Sequence, residues 1–235
     1  GQPGTETFYG TLAHEFQHFI HFGQDPQEDT WVIEGLSGLA RFVCGYGHPS
    51  SHVNAFADAP GTSLTFWEDT LANYGATYLF MLYLEEHYGG ATTIKNIVAN
   101  TGHGIAGINA ALQESGYAVS ANDIFKNWVI ANYLNNTSLY GGIYGYTDLF
   151  DSIFKAPGNI QVTNSHSIYP ALSSGSVNRY AANYIKFSNL GEGYDTFVLI
   201  PHSLSERDIQ SYSYTGMLGS LRLSIKGLRT SLGMS

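Results

Sequence analysis

The sequence predicts an α+β protein, with a mostly helical region over residues 1–157 followed by a small β-rich, sandwich-like domain over residues 158–235. Three observations carry this. Through the first two thirds, apolar residues recur at helical spacing between capping residues and glycines. From Ile160 onward the pattern shifts to short runs of β-branched and aromatic residues separated by Gly, Asn or Pro. At 235 residues and 43% hydrophobic, the chain is long enough to bury a real core in one large domain or two small ones.

The helices follow in order. Thr5 caps a first helix over about 6–22, which Gly23 and the Asp25-Pro26 turn bring to an end. Asp29 or Thr30 caps a second helix that runs to about Cys44. Residues 45–63, rich in Gly, Pro, Ser and His, read as a loop. A third helix spans about 65–87 and stops at Gly89-Gly90. Three shorter helices cover 92–100, 105–115 and 122–134. Ser120 caps the last of them, with Asp123 in the place a capping box gives to Glu. Residues 135–159 form a loop, and strands are expected over 180–187, 196–200 and 220–226.

Composition excludes several classes of function. There are 19 acidic and 10 basic residues, a net charge of −9, and no cluster of Lys and Arg to contact phosphates, so nucleic acid is not the partner. The longest apolar stretch, Ala76 to Leu84, is far too short to cross a bilayer. The single cysteine, Cys44, excludes an internal disulfide framework and reads as a small buried residue at a helix end. Low charge with 27 Gly and 17 Tyr is compatible with a secreted or cell-surface protein whose leader lies outside this chain.

The chemistry concentrates in His14-Glu15-Phe16-Gln17-His18. Positions i and i+4 share a helix face, so His14 and His18 can bind one zinc ion while Glu15 projects beside them as a base. The pattern alone arises by chance in about one or two of a hundred shuffled chains of this composition, so its context has to decide. The predicted helix supplies that context, with Phe8, Leu12, Phe16 and Phe19 or Ile20 available for its buried side. Catalytic zinc takes three protein ligands. A His at 24 would complete one known arrangement, but position 24 is Gln. His21 lies most of a turn beyond His18 and reads as a supporting or surface residue. Glu34 opens the next helix, on a narrow face with Gly38 and Arg41, while Trp31, Val32, Leu36 and Leu39 anchor that helix in the core. It is the better third ligand.

HEFQH followed by Trp31-Val32-Ile33-Glu34-Gly35-Leu36-Ser37 resembles the gluzincin metallopeptidases, most closely the hyicolysin-type neutral zinc peptidases. Tyr74 to Leu84, Asp123-Ile124-Phe125 and Trp128 to Asn132 fit the same resemblance, which covers about residues 5–134. It implies a zincin-type catalytic domain, zinc held by His14, His18 and Glu34, and Glu15 as general base. The activity implied is that of a zinc-dependent endopeptidase acting on peptides or proteins. Two departures stand out. Relatives often carry an acid four residues after the ligand Glu, to orient a histidine; here that position is Gly38, with Asp29 or Glu28 as possible substitutes. Gluzincins also place a β-sheet before the HExxH helix, whereas here the helix begins near Gly1, which implies an upstream sheet outside this sequence.

An oxyanion donor is expected on the third helix at Tyr74, with Tyr78 one turn on and His48 and His52 as alternatives. Gly75-Ala76 would let that helix approach the cleft closely. Two other functions fit parts of the pattern: a zinc aminopeptidase, and a non-catalytic adhesion module with a relic zinc site. A relic has no reason to keep Glu15.

Overall fold

Helix α4 (Leu71–His87) is the axis of the protein. Leu79, Phe80, Met81, Leu82, Tyr83 and Leu84 are all fully buried, so this helix is apolar on every side and must be surrounded. In this computed structural model, residues 2–149, 159–189, 196–205, 209–217, 220–226 and 229–233 are described. Among them are seven α-helices and seven strands, an α+β architecture.

Helices α2 (Thr30–Val43), α3 (Ser50–Asp58), α5 (Gly90–Ala99) and α7 (Ala121–Leu134) pack on α4, while α1 (Glu6–Gln24) lies on α2 and α6 (Gly104–Glu114) lies on α5. Their ends follow the local chemistry. Thr5 Oγ1 accepts from Phe8 N, and Ser120 Oγ accepts from Asp123 N. Thr70 and Asn73 form a reciprocal capping box that starts α4 six residues later than the sequence suggested. The segment expected as a loop over 45–63 contains α3. Its buried Val53, Phe56 and Ala57 follow the i, i+3, i+4 pattern, with Pro49 just ahead of the first turn. Gly75 decides how closely α3 approaches α4. A Cβ there would lie 2.1 Å from the carbonyl oxygen of His52, so only glycine admits this contact.

Helix α1 differs from expectation. Leu12, Phe16, Phe19 and Ile20 are exposed, with Phe19 at 74%. The helix turns its Gly10, Gln17 and His21 side inward against α2 instead, and no described residue covers the apolar side. Cys44, expected to be buried, is an exposed cap residue at the end of α2. The α1–α2 connection is pinned from outside. Glu28 Oε1 accepts from Gly104 N at 2.8 Å and Asp29 N at 2.6 Å, and Asp25 lies 3.4 Å from His103. Burial pushes the Glu28 carboxyl up.

The C-terminal strands form two sheets. One has the order β1 (Asn164–His166), β3 (Ile185–Ser188), β4 (Thr196–His202), β7 (Arg229–Gly233). The other has the order β2 (Ala171–Val177), β5 (Gln210–Met217), β6 (Ser220–Lys226). All pairings are antiparallel except β1 with β3. The expected boundary at 157/158 lies outside the described residues. Beyond it, Ile160, Tyr180, Tyr184, Val198 and Ile200 join the helical core. Tyr184 Oη donates to Val129 O at 2.8 Å, and Tyr180 Oη donates to Asn122 Oδ1 at 2.6 Å.

Candidate metal centre

Three potential ligands converge where α1 lies on α2. His14 Nε2 and His18 Nε2 are 3.1 Å apart, and Glu34 Oε2 lies 3.3 Å from the first and 3.5 Å from the second. The i, i+4 spacing brings the imidazoles together with their rings near perpendicular. Among the described residues this is the only group of three His, Cys, Asp or Glu side chains close enough to share an ion. A tetrahedral site with ligand bonds of ~2.0–2.1 Å has edges of about 3.4 Å, so the three separations match one face of such a site. Glu34 Oε2 is buried and has no hydrogen-bond partner. A carboxylate oxygen aimed at two imidazole nitrogens without a donor of its own suits a cation between them.

His18 is held from behind. Ser37 Oγ donates to Gln17 Oε1 at 2.6 Å and lies 3.3 Å from His18 Nδ1, which leaves its lone pair for the Nδ1–H. The proton is then on Nδ1, and Nε2 presents its lone pair to Glu34 and His14. Gln17 continues the chain to His21 Nδ1, 3.5 Å from its amide nitrogen. His21 is fully buried, and burial lowers its pKa, with Asp25 opposing and His18 reinforcing the effect. His21 therefore stands behind the site rather than in it.

An acid at position 38, the orienting group that the resemblance would lead one to expect, is absent, and a larger residue there would crowd its neighbour. A Cβ on Gly38 already meets the Tyr78 ring at 3.1 Å. Glu28 and Asp29 do not substitute for it, since both are committed to the segment around Gly104. Ser37 takes the orienting position, one residue earlier. The sequence carried a signal for it: Ser37 is three residues after Glu34 and so shares its side of the helix.

His14, Glu15 and Glu34 line an open cavity of about 630 Å³ with Gly38, Arg41, His52, Tyr74 and Tyr78. Glu15 is exposed at its mouth, beside the convergent ligands. No family model matches this chain, and no curated protein matches it by sequence. The geometry of the site therefore carries the functional reading.

Both candidate tyrosines reach this cavity, and their hydroxyls are differently engaged. Tyr74 Oη donates to Asp69 Oδ1 at 2.9 Å, and its pKa is pushed up to about 12, mainly by burial and then by that bond. Tyr78 is 1% exposed, its hydroxyl bonds His48 Nδ1, and burial raises its pKa further. His48 also bonds the Asp148 carbonyl through Nε2 at 2.9 Å, so it braces the wall instead of facing the ligand. His52 sits against Tyr74, ring centroids 5.1 Å apart, and burial lowers its pKa.

Proposed function

We propose that the protein is a zinc-dependent endopeptidase with a zincin-type helical domain, a sandwich-like β-rich C-terminal domain and a secreted or cell-surface location. The observation that supports this best is the convergence of His14, His18 and Glu34 at tetrahedral-edge separations, with Glu15 beside them in an open cavity. His14 Nε2, His18 Nε2 and Glu34 Oε2 would hold the ion, and the donor set of two imidazoles and one carboxylate suits zinc. Bound there, zinc supplies Lewis acidity, lowering the pKa of a water and polarising the peptide carbonyl.

The chain's own groups do the rest. Glu15 accepts the proton from the attacking water at its carboxylate and later delivers it to the leaving amine. Ser37 and Gln17 keep the His18 tautomer fixed through the cycle. Tyr74 is the proposed hydrogen-bond donor to the oxyanion, which requires its hydroxyl to leave Asp69. The raised pKa of Tyr74 keeps that hydroxyl protonated at neutral pH.

Metal analysis and digestion of casein, with and without chelator, test the reading on wild type and Glu15→Gln. The expected result is stoichiometric zinc in both and turnover only in wild type, abolished by chelator. Undiminished digestion by Glu15→Gln removes this mechanism. Zinc without any casein turnover in wild type leaves the adhesion module and the zinc aminopeptidase as alternatives, and an aminoacyl-anilide substrate tells them apart.

A further inference from the structure

We propose that Arg41 makes this site selective for a substrate carboxylate lying one to three residues from the bond that is cut. The inference rests on the endopeptidase reading and adds a substrate class to it. Arg41 lines the same cavity as His14, Glu15 and Glu34. It stands on α2 seven residues after Glu34, which is two turns along one face, or about 10 Å. An extended peptide covers that distance in about three residues.

The guanidinium is held but not neutralised. Its Nε donates to Gly47 O at 3.3 Å. Its Cζ and Nη1 rest so close to Gly10 that a Cβ there would lie 3.0 Å from each, and the missing side chain opens the space in which they lie. Among the described residues, no carboxylate comes within 4.0 Å of it. A guanidinium anchored through Nε, lining an open cavity and with no carboxylate in reach, suits a bidentate bond to a planar anion. Among the described residues, no other Lys or Arg lines this cavity. The net charge is −9, and the cavity's other ionised groups include Glu15 and Glu34. Zinc held by His14, His18 and Glu34 would itself attract a carboxylate at the bond that is cut, so the preference that belongs to Arg41 is one displaced from that position and lost with the guanidinium.

The test uses the zinc-loaded full chain and blocked alanine-based peptides. Each carries Glu or Gln at one of three positions on either side of the scissile bond, and each is made with a free or amidated C-terminus. The readout is the ratio of kcat/KM within each pair, which remains readable even where absolute rates are low. One charge-assisted bidentate contact predicts a preference on the order of ten- to hundredfold for the carboxylate at one position. Arg41→Gln should bring that ratio to about one, and Arg41→Lys should restore part of it, as a point charge without the fork. The paired termini tell a side-chain carboxylate from a terminal one. Equal rates for every pair in wild type, or a preference that persists in Arg41→Gln, overturns the proposal. If wild type cleaves no peptide, the endopeptidase reading fails by itself. Fluorescence anisotropy of the same labelled peptides then decides on Arg41: tighter binding of the acid lost in Arg41→Gln supports the carboxylate site, and equal binding refutes it.

Discussion

Ser37 Oγ lies 3.3 Å from His18 Nδ1 and gives its own proton to Gln17 Oε1. This pair fixes which imidazole nitrogen faces Glu34. A serine is a weaker partner than the carboxylate found at such positions, because it orients the ring without making it much more basic.

Ser37→Ala should therefore weaken zinc binding. Loss of a partner of this kind costs about ten- to hundredfold in metal affinity, and the low end is expected for a neutral hydroxyl. Competition against a chromogenic chelator reads the change directly. An unchanged affinity would mean that His18 is oriented by packing alone. The methyl group fits the fully buried pocket of Ser37, so folding should be retained.

On the zinc reading, Glu34→Ala should cost more, because it removes a proposed ligand instead of a ligand's support. The loss should exceed the roughly hundredfold upper range for a supporting residue, leaving two imidazoles that exchange their metal readily. Retention of stoichiometric zinc at wild-type affinity would show that another group completes the site. His21 is a poor substitute, since it is fully buried behind Gln17.

The sequence made parts of this legible and hid others, for physical reasons. The first two helices were readable because Thr5 and Asp29 mark their starts and the i, i+4 histidines carry chemistry that spacing alone expresses. Helix α3 was hidden by its composition: its nine residues, two Ser and two Ala among them, gain their order from packing on Gly75, which no local pattern announces. The inward side of α1 was misread for a related reason. Leu12, Phe16 and Phe19 form the apolar stripe, yet the side facing α2 is made of Gly10, Gln17 and His21, chosen by close approach and hydrogen bonding rather than by hydrophobicity. Strand β2 was missed because its Ser- and Gly-rich stretch lacks the apolar alternation that marks a half-buried strand, whereas β5 carries a legible one, with Tyr212 and Tyr214 buried between serines. The role of Ser37 is not legible in the sequence beyond its spacing from Glu34, because a lone serine on a helix carries no pattern of its own and only the packing of α1 on α2 brings it to Gln17 and His18.

Glu86 gives the fold a pH dependence of its own. Its side chain is 1% exposed and accepts from Thr147 N at 2.8 Å and Asp148 N at 3.1 Å. Burial nevertheless pushes its pKa up to about 7, from 4.5. Between these values the unfolded chain has released this proton and the folded chain has not, so stability falls as pH rises from about 4.5 to 7, by an amount on the order of 3 kcal/mol. The buried His21 and His202 and the half-buried His48 and His52 act in the opposite sense, because desolvation lowers their pKa values and stability rises with pH as the unfolded imidazoles discharge. The difference between wild type and Glu86→Gln in urea midpoint, followed from pH 4 to 8, isolates the glutamate. The variant should lose the falling component in that window. Parallel curves would show that Glu86 ionises freely in the folded chain.

Tyr74→Phe tests the donor proposed for the oxyanion. A phenol has one proton to give, and in this structure Asp69 receives it at 2.9 Å. Donation to an oxyanion is therefore a competition between a carboxylate at the rim and a developing negative charge inside the cavity. The cavity has the advantage once water is excluded, because a charge-assisted bond strengthens as the local dielectric falls. If Tyr74 makes this bond, Tyr74→Phe should lower kcat by about 10² to 10³ while zinc content and the unfolding midpoint stay near wild type. Asp69→Asn should move the other way or leave kcat unchanged, since a neutral amide holds the phenol less firmly than a carboxylate does. A wild-type rate in Tyr74→Phe would shift the role to its neighbour His52, which lines the same cavity and stays neutral at higher acidity because burial lowers its pKa. In that case His52→Ala should show the missing loss, and the tilted contact of His52 with the Tyr74 ring would be its means of support.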